Sequence, residues 1–252
     1  MDNQSFLKQF SNPPNWFTFA SILCGIGSII ISGDAATPEA FYKAGLMIVF
    51  AGLFDLLDGR VARMTGTGSE FGVQLDSLAD VVSFGVAPTI LVYKWALIDL
   101  GPFGTAVAGA FIICGIMRLA RFNIKAEGGE KVVSLGLTIT AAGGLLAAMV
   151  MTHTALGNTT VQNPMSPALL IVALCGLMLS EVPYRLLAQL RRSKAGIALV
   201  ATLFVTGLGV GLKYDVAIFL FGFGFIYVAT GPLLMIRDNG STLTEPRSDS
   251  DK

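Results

Sequence analysis

The chain is built from long apolar runs separated by short polar connections. Eight of these runs approach or exceed the about 20 residues that a bilayer-crossing helix requires: 14–33, 38–58, 72–98, 102–121, 132–155, 165–187, 195–212 and 215–236. Runs of this length predict membrane-spanning helices rather than buried strands. The expected fold class is therefore all-α, a polytopic membrane protein. Residues 1–13 form a polar segment before the first run. The last stretch, 237–252, is polar and is expected to be a disordered tail.

Composition agrees with this pattern. Hydrophobic residues make up 53% of the 252 positions and charged residues only 13%, against about 25% charge in soluble domains. Formal net charge is zero, so no nucleic-acid partner is expected. The three cysteines, Cys24, Cys114 and Cys175, lie in apolar runs at spacings that suit neither a metal site nor a disulfide framework.

Charge distribution adds an orientation. Fourteen Lys and Arg residues fall at the two termini and the even-numbered connections, against Lys43, Lys94 and Lys213 on the other side. The positive-inside bias places both termini and the even connections in the cytoplasm.

The chemistry concentrates at the second connection. Asp55 and Asp58 close the second run, and Asp76 and Asp80 open the third. Spacings of three and four put each pair on one helical face. Gly66 and Gly68 permit a tight reversal between them, so two consecutive helices would bring four carboxylates together. Each Asp costs about 2.5–3.5 kcal/mol near the centre of a membrane helix. Four would cost roughly 10 kcal/mol before repulsion is counted. Pairing with Arg60 and Arg63 would neutralise at most two. A divalent cation neutralises more, and an all-oxygen donor set without His or Cys suits Mg²⁺ or Mn²⁺. Gly59 and Ala62 leave room beside the carboxylates for a flat base or a pyrophosphate. Gly72 lets the two helices approach closely, and Arg63 can hold phosphate oxygens. The set points to metal-assisted chemistry on a lipid diphosphate.

The run Asp55-x2-Asp58-Gly59-x2-Ala62-Arg63-x8-Gly72-x3-Asp76-x3-Asp80 resembles the complete signature of the CDP-alcohol phosphotransferases. The resemblance covers about 14–190 and implies a six-helix transmembrane core, followed by about two extra helices in 191–236. A narrower resemblance is to the phosphatidylserine synthases of that family. It rests on Pro14-Asn15-Trp16-Phe17-Thr18, on Leu75 to Pro88, and on Arg118-Leu119-Ala120-Arg121-Phe122-Asn123. Ser21 stands where those synthases often have Asn, and Thr138 and Thr140 stand where they have Pro.

The resemblance implies a CDP-diacylglycerol donor bound over Gly59 and Ala62, with Thr18, Arg63 and Gly72 on the donor side. It makes Asp55, Asp58 and Asp76 the ligands of one or two ions. Asp80 becomes the general base, with a share in metal binding. L-serine would be the acceptor, membrane lipids the surroundings and a homodimer the assembly. The serine carboxylate needs a cation, which Arg118 or Arg121 can supply with Asn123 nearby; the alternative is that both arginines anchor lipid headgroups. Rival readings are a different acceptor alcohol, an intramembrane prenyltransferase and a cation transporter.

Overall fold

A computed structural model describes residues 12–66, 69–127, 136–158, 161–182, 184, 202, 207, 209, 211 and 215–242. All regular structure among them is helical. The helices are α1 (Pro13–Gly33), α2 (Pro38–Thr65), α3 (Glu70–Asp80), α4 (Ala87–Trp95), α5 (Gly101–Glu127), α6 (Ile139–Ala155), α7 (Met165–Leu179) and α8 (Val216–Thr242). Five helical stretches are long and apolar enough to cross a membrane: α1, α2, the continuous stretch 70–95, 97–125 and 216–233. α6 and α7 are apolar but shorter, at 17 and 15 residues. The predicted run 195–212 lies almost entirely outside the described residues, as do the segments 1–11 and 243–252.

Local chemistry explains where helices begin and end. Pro13 and Pro38 occupy the first helical turn of α1 and α2, where a missing N–H costs nothing. The Thr37, Ser69 and Thr138 hydroxyls cap α2, α3 and α6 by accepting from backbone N–H groups. Gly66, at φ 65°, ends α2. α6 starts later than the hydrophobic pattern suggests. The chain first turns at Gly136, φ 75°, and its N–H donates to the Val182 carbonyl. α7 also ends early, at Leu179. Its terminal carbonyls are bonded by Arg121, whose guanidinium donates to Leu179 O at 3.1 Å and to Ser180 O at 3.1 Å.

The third predicted run is not one uniform helix. Residues Val81–Val86 form a π-helical turn between α3 and α4, and the Ala87 N–H reaches back to Val82 O. Pro88 explains the widening. It has no N–H for the Phe84 carbonyl and its ring crowds that group in a regular helix. The Thr89 hydroxyl donates to Gly85 O at 2.6 Å. Two glycines hold this turn from either side. A Cβ on Gly25 would lie 2.9 Å from Ser83 Cα, and one on Gly143 would collide with the Phe84 backbone. Ser83 donates to Ser21 O at 3.0 Å, and Ser21 donates to Ser83 Oγ at 3.3 Å.

The core centres on α6. Ile139, Ala142, Leu146, Ala147 and Val150 are fully buried, against Ala44 and Ile48 of α2, Phe84, Leu91 and, across the bundle, Ile171 and Leu174 of α7. α8 packs on α6. Its N-terminus is tied to α2 through Asp215, which accepts from Tyr42 Oη at 3.0 Å and from Ala217 N at 2.7 Å. Cys114 of α5 and Cys175 of α7, 61 positions apart, meet side chain to side chain.

Candidate functional site

The two acidic pairs do converge. α2 carries Asp55 and Asp58 on one face, and the Gly66 turn returns the chain so that α3 presents Asp76 and Asp80 towards them. Carboxylate oxygens of Asp55, Asp76 and Asp80 lie within 4.8 Å of one another. Asp55 and Asp80 approach to hydrogen-bonding distance, where two carboxylates repel unless a proton or cation lies between them. Asp58 sits beside this triad, is 6% exposed, and accepts from Thr18 Oγ1 at 2.9 Å.

The donor set fits a hard divalent cation: only carboxylate oxygens, three within one ion's reach, and a buried Asp80 Oδ1 with no hydrogen-bond partner. Arg60 and Arg63 are exposed on α2. Arg118 of α5 is near enough to act electrostatically on Asp80, a proximity that sequence spacing does not reveal. Arg118 is itself 6% exposed, with its guanidinium 5.2 Å from the Phe122 ring centroid. Arg121, one turn on, is spent on the α7 carbonyls described above. Asn123 donates to Ser77 Oγ at 3.0 Å, joining α5 to α3.

Beside the carboxylates lies a cavity of about 150 Å³ lined by Asn15, Thr18, Asp58, Gly59, Ala62 and Gly72, among others. Its shape follows from small residues. A Cβ on Gly59 would meet nothing within 4 Å, so its missing side chain contributes open space rather than a packing contact. A Cβ on Gly72 would lie 3.3 Å from Ser69 Oγ and 3.5 Å from Asn15 Oδ1. Arg63 borders this region from the exposed last turn of α2 but does not line the cavity. A larger cavity, about 530 Å³, lies beyond the far end of α4 and is lined by Trp95, His153, Asn158 and Gln162, among others. Its described lining includes no carboxylate, and His153 there packs edge-on against Trp95 at 4.9 Å. The acidic chemistry belongs to the smaller cavity.

These features define a class: a membrane-embedded helical protein with a cluster of carboxylates that could hold a metal ion, next to a small-residue cleft. Residues 11–208 match the CDP-alcohol phosphatidyltransferase family, and the chain belongs to that family. It is an integral membrane protein. It is 42% identical over 150 residues to a CDP-diacylglycerol–serine O-phosphatidyltransferase of Helicobacter pylori, covering 58% of this chain and 62% of that protein. An archaetidylserine synthase of Methanothermobacter thermautotrophicus is 33% identical over 73% of this chain and 74% of its own length. A CDP-diacylglycerol–serine O-phosphatidyltransferase of Bacillus subtilis is 33% identical over 68% of this chain and 88% of its own. The chain thus spans less than two thirds of the Helicobacter relative.

Proposed function

We propose that this protein transfers the phosphatidyl group of CDP-diacylglycerol to the hydroxyl of L-serine, giving phosphatidylserine and CMP. The carrying observation is the convergence of Asp55, Asp76 and Asp80, with Asp58 alongside, at a cleft lined by Thr18, Gly59, Ala62 and Gly72. The similarity to serine O-phosphatidyltransferases supports serine as the acceptor.

On this reading the cytidine enters over Gly59 and Ala62, where no side chain blocks it. Thr18 holds Asp58 in place by its hydrogen bond. Arg63, on the flexible stem of an exposed side chain, meets phosphate oxygens as the donor arrives. Asp55, Asp58 and Asp76 would hold one or two divalent ions, Mg²⁺ or Mn²⁺, with Asp80 sharing in their binding. When bound, such ions neutralise charge on the diphosphate as the attacking and leaving oxygens exchange. Asp80 takes the proton from the serine hydroxyl, a weak nucleophile that needs a positioned base. The serine oxygen forms its bond to the phosphorus that carries diacylglycerol. The bond from that phosphorus to the CMP oxygen breaks, and CMP leaves.

Of the two arginines, Arg118 is the one we assign to the serine carboxylate. It is buried, acts electrostatically on Asp80, and would bring the acceptor's anionic group near the base. Arg121 secures the end of α7 instead. Asn123 supports the same wall through Ser77. The wider reading keeps a six-helix core over 14–190 and two further spans over 191–236, eight in all. It puts the termini and the site on the cytoplasmic side, where serine is available, and the chain in a homodimer.

The test is a panel assay. Purified protein with labelled CDP-diacylglycerol is offered L-serine, glycerol phosphate, inositol phosphate and choline, and CMP and lipid products are measured. Phosphatidylserine as the main product supports the proposal. Turnover with another alcohol and none with serine would overturn the acceptor assignment.

A further inference from the structure

Helix α1 carries no charged residue, yet one buried face of it is bonded to both limbs of the acidic site. Thr18 Oγ1 donates to Asp58 Oδ2 at 2.9 Å. Three residues on, a spacing that keeps the same face, the Ser21 carbonyl accepts from Ser83 Oγ at 3.0 Å, and Ser21 Oγ donates to Ser83 Oγ at 3.3 Å. A carbonyl oxygen has two lone pairs, so Ser21 O can serve its own helix and Ser83 together. One turn further, Gly25 makes the room for this approach. A Cβ there would lie 2.9 Å from both Cα and Oγ of Ser83. Ser21, Gly25 and Ser83 form one close crossing, with Ser83 fully buried in it.

Ser83 lies three residues after Asp80, inside the π turn Val81–Val86 that begins where α3 ends. The i→i+5 bonding of such a turn departs from the regular helical ladder. The direction of α3 is therefore not dictated by α4 alone, and an outside tie can set it. Asp80 needs that setting. Its Oδ1 is buried and makes no hydrogen bond among the described residues, so the position of that oxygen follows the backbone beneath it.

Resting on Asp80 as the base of the transfer proposed above, we infer that α1 sets the register of the site: it holds Asp58 through Thr18 and Asp80 through Ser83. Ser83 is a positioning residue. Anchored on the Ser21 carbonyl across the gap left by Gly25, it fixes where Asp80 stands relative to Asp58 and to the cleft that Thr18 and Asp58 line. A misplacement of about 1 Å can cost about 10²-fold in rate, so a tie of this kind acts on turnover more than on binding.

Two full-length variants test this in detergent or vesicles, with the alcohol that the wild type uses. Ser83→Ala removes the tie. Gly25→Ala keeps both hydroxyls and pushes the turn away from α1. For each, kcat, both KM values and the melting temperature are compared with wild type. The expected result is a kcat lowered about tenfold in both variants, a fraction of that misplacement cost, with donor and acceptor KM unchanged. Gly25→Ala at wild-type kcat overturns the inference, whether or not Ser83→Ala folds. A lower melting temperature with kcat unchanged overturns it too, as does a rise in either KM with kcat unchanged. Asp80→Asn, assayed alongside, separates the two proposals. Near-normal turnover in that variant sinks the base assignment itself. An impaired Asp80→Asn beside unimpaired Ser83→Ala and Gly25→Ala sinks only the register role of α1.

Discussion

The two halves of the third span make opposite use of their residues. Within α4, Ala87, Pro88, Thr89, Leu91 and Val92 are buried. Within α3, only Ala79 is buried, while Val73 and Leu78 are 54% and 66% exposed. The π turn between them is clamped by Gly25 and Gly143. One half is a packed anchor. The other presents Asp76 to a cleft that packing alone does not fill, with the Asp80 carboxylate beside it. A functional carboxylate pair needs both: rigidity one turn away to set its direction, and open space in front of it for ligand.

Perturbing each half should therefore break different properties. The largest effect is expected from Asp80→Asn, which keeps the shape and removes the base. Turnover should fall by about 10²- to 10⁴-fold, with CDP-diacylglycerol binding retained; near-normal turnover would put the base elsewhere. On the anchor side, Gly143→Leu forces a side chain into the Phe84 backbone. A thermal melt should register a loss of about 1–3 kcal/mol or more, and an unchanged melting temperature would mean that the clamp is not rigid.

Gly59→Ala makes the converse case in the open half. Nothing lies within 4 Å of the added methyl, and alanine favours the helix over glycine by up to about 1 kcal/mol. Stability should hold or rise while the donor KM increases several-fold. An unchanged donor KM would remove the nucleotide from that surface. The smallest effect is expected from Thr18→Val, which deletes the 2.9 Å hydrogen bond to Asp58. A loss of about 1.5 kcal/mol in stability or donor binding is expected, the low end for a hydrogen bond to a charged group.

The same contrast separates what the sequence carried from what it did not. The acidic pairs were legible because helical spacing and a glycine turn are local properties, and Asp55, Asp76 and Asp80 do meet. The hydrophobic runs also located α1 and α2 to within a residue at their starts. The break in the third run was less visible. Hydropathy does not register a π turn, although Pro88 with Gly85 before it was the available signal. α6 and α7 came out shorter than their apolar runs because Gly136 and the Arg121 bonds end the helices inside apolar sequence. Spacing alone could not choose between Arg118 and Arg121, three residues apart. The choice depends on the fold: Arg118 is buried within electrostatic range of Asp80, whereas Arg121 donates to the α7 carbonyls.

The central claim is that this carboxylate cluster works through a bound divalent cation. The most direct measurement is CMP release from CDP-diacylglycerol and L-serine by protein stripped with a strong chelator, before and after Mg²⁺ or Mn²⁺ is returned. Release should fall to background on stripping and recover on add-back, with no recovery in Asp76→Asn. Undiminished CMP release from fully stripped protein would contradict the account.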